Sequence, residues 1–363
     1  MGELRLMKGN EAFAEATIRA GFDAYFGYPI TPQSEVLEYL MSEKPYETTG
    51  MVVLQAESEV ASINMCYGAA GCGFLPVTSS SSPGISLKME GISYMAGAQL
   101  PVLILNIVRG GPGLGDIQPA QSDYFQATKG GGHGDYRLYV LAPSSVQEMS
   151  DFVLIAKEMM LKYRNPVMIL SDGMIGQMME KVELFDFIPR RTLEEIEKQS
   201  PWSTTGKKPN RERNIITSLD LDPFKQEKHV RHLYEKYAQM EREDVRYEEI
   251  QTADAEYIFV AYGSSARICQ KAVDMARKEG IKAGLLRPIS LFPFPKQPIA
   301  NLAKRVKGML VVEHSMGQMV EDVKLAVNCF LPVEHFGRTG GVIHTPTEVF
   351  NALKDLIINK YNK

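Results

Sequence analysis

The sequence predicts an α/β fold in which parallel strands form a sheet covered by helices on both faces. Short apolar segments alternate with helical segments along most of the chain, as in Phe74–Thr78 followed by Ile85–Ala98. These segments are apolar throughout, which is typical of parallel strands that are buried on both faces. The pattern is interrupted between residues 181 and 250, so the sequence divides into three parts.

The first part, residues 1–180, repeats strand and helix in succession. Asn10 is placed to cap a first helix over 11–20, which Gly21 ends. Pro32 lies at the first turn of the next helix, whose apolar face carries Val36, Leu37 and Leu40. We expect 51–55 to be a buried strand. The other predicted strands cover 23–28, 74–78, 101–108, 138–141 and 167–170, and the other helices cover 57–70, 85–98 and 144–163.

The second part, residues 181–250, differs in composition from its flanks. Charged residues are dense in it, and prolines interrupt it at Pro201, Pro209 and Pro223. Apolar residues recur there at helical spacing, namely Val230, Leu233, Tyr234, Tyr237 and Met240. This spacing predicts an amphipathic helix on a connecting insertion, which is either a solvated connector or a contact with a neighbouring subunit.

The third part, residues 251–363, restarts the α/β pattern and predicts a second, smaller domain. Strands are expected over 255–262, 282–286 and 308–313, with helices through Met275 and over 298–305 and 320–329. We find no residue cluster typical of a catalytic site in this part. Glu313 and His314 follow a strand, which is also an ordinary position for polar residues.

The composition is that of an ordinary globular protein. Hydrophobic residues make up 44% of the chain and charged residues 23%, and the formal net charge of -4 gives no basic surface for nucleic acid. No run approaches the ~20 apolar residues of a membrane span, and the first ten residues lack the apolar centre of a signal peptide. We therefore expect a cytoplasmic protein that binds neither nucleic acid nor a membrane.

Common metal and phosphate motifs do not occur in the sequence. It contains neither a G-x-G-x-x-G after the first strand nor a phosphate-binding G-x-x-x-x-G-K-[ST] loop. His335 and His344 have no carboxylate or cysteine at ligand spacing, and we interpret them as surface or hydrogen-bonded residues. No C-x-x-C is formed by the four cysteines, which are Cys66, Cys72, Cys269 and Cys329. The sequence therefore predicts no metal site or iron–sulfur cluster held by this chain alone.

Polar residues that follow the predicted strands form the candidate site. Thr31, Glu59, Arg109 and the serines 79–82 each lie just past a strand. Because the carboxyl ends of parallel strands meet at one edge of a sheet, these residues can face one crevice. Glu59 begins a helix of small and apolar residues, where a buried carboxylate without a partner is costly. It is either a first-turn acid that complements the helix dipole or a glutamate that binds an aromatic nitrogen of a cofactor.

Four segments carry motifs of one known family. They are Gly27–Glu35 (GYPITPQSE), Gln55–Ser62, Val108–Pro112, and Arg287–Pro288 together with Leu291–Pro295. With these segments nearly the whole chain resembles the pyrimidine-domain subunit of the thiamine-diphosphate-dependent 2-oxoacid:ferredoxin oxidoreductases. The resemblance implies a thiamine-diphosphate-binding (pyrimidine) domain followed by a domain like the C-terminal domain of transketolase.

The resemblance also implies roles for the candidate residues. Glu59 matches the glutamate that bonds N1′ of the aminopyrimidine, where a carboxylate favours the imino tautomer that removes the proton from C2 of the thiazolium. Thr31 matches a substrate-contacting threonine. Arg109 matches the arginine that holds the substrate carboxylate, a task suited to its planar pair of donors. The other cofactor-binding positions are Tyr28, Pro29, Ile30 and Ser82.

Partner subunits follow from the same resemblance, because the family divides its cofactor site between two chains. A diphosphate-binding catalytic subunit with a Gly-Asp-Gly signature would hold the diphosphate and Mg²⁺, whereas this chain has only Ser171-Asp172-Gly173. Iron–sulfur clusters would lie on partner subunits, among them an iron–sulfur ferredoxin-like subunit. Ferredoxin and coenzyme A would be further partners, and self-association is also expected.

The loop after Arg109 separates substrate types within the family. Its run GLGDIQPAQSDYFQATKGGGHGDYR is similar to that of enzymes acting on 2-oxoisovalerate, whereas 2-oxoglutarate enzymes would have GPSTGLPT here. The sequence therefore predicts oxidative decarboxylation of a branched-chain 2-oxoacid to acyl-CoA and CO₂ with reduction of ferredoxin. The alternatives are the same reaction on 2-oxoglutarate, a non-catalytic thiamine-fold scaffold, and a flavin- or nicotinamide-binding α/β protein.

Overall fold

Strands and helices alternate along most of the chain in the computed structural model, which describes residues 3–207, 209, 211–328 and 330–361. The strands are β1 (Glu3–Lys8), β2 (Ala24–Gly27), β3 (Val52–Gln55), β4 (Pro76–Ser80), β5 (Leu103–Val108), β6 (Tyr139–Leu141), β7 (Val167–Asp172), β8 (Met179–Leu184), β9 (Tyr247–Ile250), β10 (Tyr257–Val260), β11 (Ala283–Pro288), β12 (Ser290–Phe292), β13 (Gly308–Glu313) and β14 (Val333–Gly337). The helices are α1 (Gly9–Arg19), α2 (Ser34–Glu43), α3 (Pro45–Thr48), α4 (Glu59–Gly71), α5 (Ser82–Gly97), α6 (Tyr124–Thr128), α7 (Val146–Tyr163), α8 (Gly173–Gln177), α9 (Leu193–Gln199), α10 (Pro223–Glu243), α11 (Gly263–Lys278), α12 (Lys296–Ala303), α13 (Met319–Val327) and α14 (Pro346–Leu356).

A seven-stranded sheet in the order β12-β6-β7-β5-β4-β2-β3 forms the larger of the two main sheets. Its strands pair in parallel, except for β12, which runs antiparallel to β6. The strands β4, β5, β6 and β7 are buried along their whole length. The predicted parallel α/β fold is therefore confirmed.

The strand β3 corrects one expectation, because it is not buried. It lies at the edge of the large sheet and, among the strands that the structure describes, pairs with β2 alone. Val52 and Leu54 on it are 43% and 45% exposed. An apolar run of this length predicts a strand, but it does not report the position of that strand in the sheet. The additional strand β1, which the sequence did not predict, pairs antiparallel with β8.

The amphipathic helix α10 packs on its own chain. Leu233, Tyr237 and Met240 are buried in the hydrophobic core that also contains residues of α1 and α7. Tyr234, on the predicted apolar face, remains 43% exposed. The predicted amphipathic helix is therefore confirmed, and its buried face shows that the segment is not simply a solvated connector, whereas a contact with a neighbouring subunit stays a prediction.

Lys236 on α10 is a buried lysine, and it gives a pH-dependent prediction. Its Nζ donates to the main-chain carbonyl of Arg164 at 3.3 Å. Burial and the neighbouring Arg164 cation lower the pKa of Lys236 from 10.5 to about 7. Between pH 7 and pH 10.5 the unfolded chain therefore binds more protons than the folded chain, so the free energy of unfolding decreases as the pH falls. The contribution of Lys236 to stability is fully present above the unfolded pKa and is lost once the pH has fallen through 7.

We expect Lys236→Met to raise the free energy of unfolding at pH 6 by on the order of 2 kcal/mol, because it removes a buried charge and keeps most of the apolar stem. The gain should shrink as the pH rises towards 9. Urea midpoints at the two pH values measure it, with Lys228→Met on the exposed face of the same helix as the control. A lower midpoint at pH 6 would contradict the prediction.

The smaller sheet has the order β14-β13-β10-β11-β9, with only β9 antiparallel to its neighbour among the described strands. Two features join it to the large sheet. The strand β12 crosses into the large sheet beside β6. Arg287 at the end of β11 donates from Nη1 and Nη2 to the Glu148 carboxylate on α7, at 2.8 and 2.6 Å. The Arg-Pro motif is therefore a link between the two halves of the chain.

Candidate active site

The predicted site residues lie at one edge of the large sheet. Thr31, Glu59, Ser82 and Arg109 follow β2, β3, β4 and β5 respectively. These four strands are consecutive in the sheet and parallel, in the order β5-β4-β2-β3. Their carboxyl ends therefore lie side by side, which is where ligands bind in sheets of this kind.

Glu59 is the first residue of α4, and it is only 6% exposed. Ser58 caps the helix, because its Oγ accepts from the Ala61 N–H at 3.1 Å. The Glu59 side chain lies against Gly84 in the first turn of α5, where a Cβ atom would come within 2.7 Å of Glu59 Oε1. Glycine at position 84 thus leaves the space that the carboxylate occupies.

The Glu59 carboxylate has lone pairs available for a ligand. Within the described part of the chain, no group donates a hydrogen bond to it. A buried carboxylate of this kind is expected to meet a donor or a cation. A protonated nitrogen of an aromatic ring meets that requirement, so the residues present fit the pyrimidine of thiamine diphosphate.

Arg109 is fixed directly after β5 by main-chain groups. Its Nη1 donates to the Thr31 carbonyl at 2.9 Å, and its Nη2 donates to the Leu114 carbonyl at 3.3 Å. Each terminal nitrogen keeps a second N–H, which leaves a pair of donors for a carboxylate. The structure therefore brings Arg109 and Thr31 together.

Ser82 connects the arginine to the glutamate. Its Oγ accepts from the Arg109 main-chain N–H at 3.1 Å and donates to Asp123 Oδ2 at 2.7 Å. Ser82 is also the first residue of α5, two residues before the Gly84 that contacts Glu59. Its hydroxyl is thus engaged within the chain, and the cofactor-binding role of Ser82 stays a prediction.

The loop Tyr28–Pro32 carries exposed and half-buried side chains, and its buried end at Pro32 is fixed by hydrogen bonds to the main chain. Pro29 and Thr31 are exposed, whereas Tyr28 and Ile30 are half-buried. Asn10 Nδ2 and Gln177 Nε2 both donate to the Pro32 carbonyl, at 2.8 and 2.9 Å. Asn10 therefore lies inside α1 and supports the loop, whereas the sequence predicted it as the cap of this helix.

A cavity of about 810 Å³ opens beside Arg109. Its apolar wall is formed by Pro83, Leu87, Pro112, Leu114 and Met316. Asp123 also lines it, and its Oδ2 accepts from Ser82 and from Asn106 Nδ2. Burial raises the pKa of Asp123 against these hydrogen bonds. Arg109 is the one cationic side chain among the described residues of this wall.

Sequence reasoning missed several residues that build the site, above all Gly84 and Lys88 on α5 and Asp123. A lysine that shares a helix face with Gly84, Gly91 and Ile92 was the available signal, since such a face is otherwise made of small and apolar residues. Lys88 is fully buried, as that placement implies.

Asp172 in the Ser-Asp-Gly segment is engaged within the chain. Its Oδ1 accepts from the Met174 and Ile175 N–H groups and caps α8, and its Oδ2 accepts from Ser264 Oγ at 2.5 Å. This carboxylate is 2% exposed. It does not fit the exposed acidic ligand that a diphosphate-bound Mg²⁺ needs.

Glu313 and the histidines around it have structural positions. Glu313 accepts from the Gln318, Met319 and Val320 N–H groups at the start of α13. His314 is buried and stacks on His344, with ring centroids 4.7 Å apart. His344 is 3% exposed and therefore not a surface residue, and its main-chain N–H donates to His314 Nε2 at 3.3 Å, as the hydrogen-bonded alternative expected.

Among the described residues, no group of three or more His, Cys, Asp or Glu side chains is placed to hold a metal ion. Cys329 lies outside the described residues. The described helices also include none with both the length and the apolar content to cross a membrane.

Family comparisons agree with this geometry. Residues 15–253 match the family described as "Pyruvate flavodoxin/ferredoxin oxidoreductase, thiamine diP-bdg", and residues 255–349 match "Pyruvate:ferredoxin oxidoreductase core domain II". The chain belongs to the thiamine-diphosphate-dependent 2-oxoacid:ferredoxin oxidoreductases.

Individual relatives are similar over nearly the whole chain. Ketoisovalerate oxidoreductase subunit VorB of Methanothermobacter marburgensis is 47% identical over 97% of both chains. The 2-oxoglutarate synthase subunit KorA of Archaeoglobus fulgidus is 36% identical over 92% of this chain and 95% of its own.

Solved structures show the same fold. One is the 2-oxoglutarate:ferredoxin oxidoreductase from Magnetococcus marinus with 2-oxoglutarate, coenzyme A and succinyl-CoA bound. It matches with a TM-score of 0.84 at 25% sequence identity. The match covers 98% of this chain and 66% of that protein's chain. A split-gene transketolase, described as an inactive beta4 tetramer, has a TM-score of 0.60 at 14% identity over 98% of this chain and 99% of its own. The second likeness concerns the fold alone.

Proposed function

We propose that this chain is the pyrimidine-binding subunit of an enzyme that oxidatively decarboxylates a branched-chain 2-oxoacid, such as 2-oxoisovalerate, to acyl-CoA and CO₂ while reducing ferredoxin. The observation that carries the proposal is the cavity beside Arg109, which combines one cation with a largely apolar wall. The higher identity to the ketoisovalerate subunit, 47% against 36% for the 2-oxoglutarate subunit, supports the same substrate class.

The charged and apolar parts of a branched-chain 2-oxoacid match the cation and the apolar wall of this cavity. A branched-chain 2-oxoacid carries one carboxylate, which the free N–H groups of Arg109 would bind, and an aliphatic end, which Leu87, Leu114 and Met316 would cover. 2-Oxoglutarate carries a second carboxylate, whose desolvation needs a second partner. The described wall offers no second cation, and its other ionisable side chain is the carboxyl of Asp123.

The cofactor would be divided between this chain and a partner. Thiamine diphosphate supplies a thiazolium that stabilises the negative charge left on the substrate when CO₂ departs. Glu59 would hold the aminopyrimidine N1′, and the Tyr28–Ile30 loop would lie along the ring. Because Asp172 is engaged within the chain, a partner subunit would hold the diphosphate and Mg²⁺. The iron–sulfur clusters would be bound by partner subunits. Ferredoxin and coenzyme A would bind transiently.

The direct test is a substrate panel on the assembled complex, with methyl-viologen reduction as the readout. The proposal expects a higher kcat/KM for 2-oxoisovalerate and other branched-chain acids than for 2-oxoglutarate or pyruvate. A preference for 2-oxoglutarate would favour the alternative substrate. A complex that binds thiamine diphosphate but oxidises none of these acids would favour the scaffold interpretation.

Adding a cation to the apolar wall should shift the specificity. Leu114 is 85% exposed and lines the cavity, so Leu114→Lys adds an ammonium to its wall. We expect the ratio of kcat/KM for 2-oxoglutarate to that for 2-oxoisovalerate to rise about twofold to fivefold, the size of an exposed ion pair. Leu114→Met is the control that keeps an apolar wall. An unchanged ratio in Leu114→Lys would show that the substrate lies elsewhere.

A further inference from the structure

Gln318 belongs to the C-terminal part of the chain, residues 251–363, and it lines the cavity beside Arg109. It is half-buried and lies directly before the first residue of α13. Its side-chain Oε1 accepts from the Phe125 main-chain N–H at 2.8 Å, and its Nε2 donates to the Ser122 main-chain carbonyl at 2.7 Å. Both polar atoms of the amide are therefore bound to the main chain of the loop that follows β5.

Glu313 at the end of β13 fixes the main chain of Gln318. Its side chain is fully buried, and its Oε2 accepts from the Gln318 N–H at 3.1 Å and from the Met319 N–H at 3.0 Å. A buried carboxylate that accepts main-chain N–H groups at the start of a helix holds that helix end in place. Glu313 thus fixes the position from which the Gln318 side chain reaches the loop.

The loop residues on both sides of Asp123 are held by the C-terminal part of the chain. The Gln121 N–H donates to the His314 carbonyl at 2.8 Å, and Tyr124 Oη donates to Asp322 Oδ2 at 2.5 Å. Together with the two hydrogen bonds of the amide, these contacts attach both neighbours of Asp123, and the next residue on each side, to the C-terminal part.

The side chain of Asp123 instead contacts the N-terminal part of the chain. Its Oδ2 accepts from Ser82 Oγ at 2.7 Å and from Asn106 Nδ2 at 2.9 Å. Because the Ser82 proton is directed at Asp123, the lone pairs of the Ser82 oxygen are free to accept from the Arg109 main-chain N–H at 3.1 Å. The Asp123 side chain thus sets the orientation of the hydroxyl that contacts Arg109 at the end of β5.

We propose that Gln318 is a positioning residue through which the C-terminal part of the chain shapes the cavity beside Arg109, an inference that rests on the proposed function. The amide of Gln318 holds the loop main chain on both sides of Asp123. Asp123 in turn orients Ser82, which fixes the main chain of Arg109. Loss of the amide should leave Arg109 less well placed for the substrate carboxylate. Substrate binding should therefore weaken, whereas the reaction of bound substrate should change little.

The test is the steady-state kinetics of Gln318→Met in the assembled complex, with 2-oxoisovalerate as the substrate. Methionine keeps the length of the side chain but lacks the amide donor and the carbonyl acceptor. We expect KM to rise about tenfold, which corresponds to about 1.4 kcal/mol, the net contribution of one or two hydrogen bonds. The value of kcat should stay within about threefold of wild type. The Kd of thiamine diphosphate should be unchanged, because Gln318 acts on the Arg109 side of the site.

Gln297→Met is the matched control for this change. Gln297 is exposed on α12 and donates to Asn301 on the same helix, so the same chemical change is made in the C-terminal part but away from the cavity. Wild-type KM and kcat are expected for it. If Gln318→Met fails to assemble, Gln318→Asn carries the same test with a polar side chain that is too short to span both main-chain groups.

A second substitution shows whether Gln318 acts through Asp123. In the Asp123→Ala background, Gln318→Met should change KM by less than about twofold, because the link to Ser82 is already broken. A wild-type KM in Gln318→Met overturns the proposal. So does a rise that persists in the Asp123→Ala background, or one that comes with an equal rise in the Kd of thiamine diphosphate. These results leave the proposed function intact, whereas a wild-type KM in Arg109→Ala contradicts the proposed function itself.

Discussion

Glu59→Gln is expected to lower kcat of the assembled enzyme by about 10³-fold or more. A loss of this size lies within the range of general acid–base catalysis, and a larger loss is expected where the group also activates the cofactor. The amide keeps the shape of the side chain against Gly84 but cannot exchange a proton with the ring nitrogen. The fold should persist, because no hydrogen bond from the described residues to the carboxylate is lost. Single-turnover kinetics at saturating thiamine diphosphate measure the loss.

The matched control for this change is Glu57→Gln, two residues earlier. Glu57 is exposed, whereas Glu59 is buried, so the same chemical change is made in the same segment but outside the site. Wild-type turnover and wild-type thermal unfolding are expected for Glu57→Gln. Retained turnover in Glu59→Gln, with the complex assembled and the cofactor bound, would remove Glu59 from the mechanism.

Short sequence patterns correctly predicted the parallel strands of the large sheet and placed the candidate site at their ends. Apolar runs marked the parallel strands, and strand ends marked the sheet edge where Thr31, Glu59 and Arg109 lie. The same patterns could not show that β3 is an edge strand, because sheet order depends on contacts between distant segments. They also could not pair β12 with β6, since only three residues of an otherwise irregular loop form that strand.

Gly84 and Lys88, which lie around Glu59, could not be identified from the sequence as readily as Glu59 itself. Gly84 in a helix normally signals flexibility, and the structure shows instead that a Cβ at this position would collide with Ser80 Oγ and with the Glu59 side chain. Lys88 would ordinarily be assigned to a solvated helix face. Its burial is decided by Ser62 and Thr78, which come from two other elements. Contacts across elements therefore determine which of these side chains serve the site.

Arg109→Ala is expected to reduce kcat/KM for the 2-oxoacid by about 10²–10³-fold, mainly through KM. The estimate assumes loss of a charge-assisted, two-pronged contact worth about 3–4 kcal/mol in a partly enclosed cavity. Arg109→Lys should recover only part of the loss, because an ammonium lacks the planar fork. Steady-state kinetics on the assembled complex give the split between kcat and KM.

Whether the Arg109→Ala complex still assembles distinguishes the enzyme interpretation from the scaffold interpretation. Arg109 donates to the Thr31 and Leu114 carbonyls, which are exposed enough for water to replace it, so sedimentation of the Arg109→Ala complex should match wild type. Arg231→Ala on the exposed face of α10 controls for loss of a surface cation. If Arg109→Ala fails to assemble while the few complexes that form keep wild-type KM, the arginine holds subunits together rather than substrate. A raised KM in fully assembled enzyme requires that the carboxylate of the substrate binds at the end of β5.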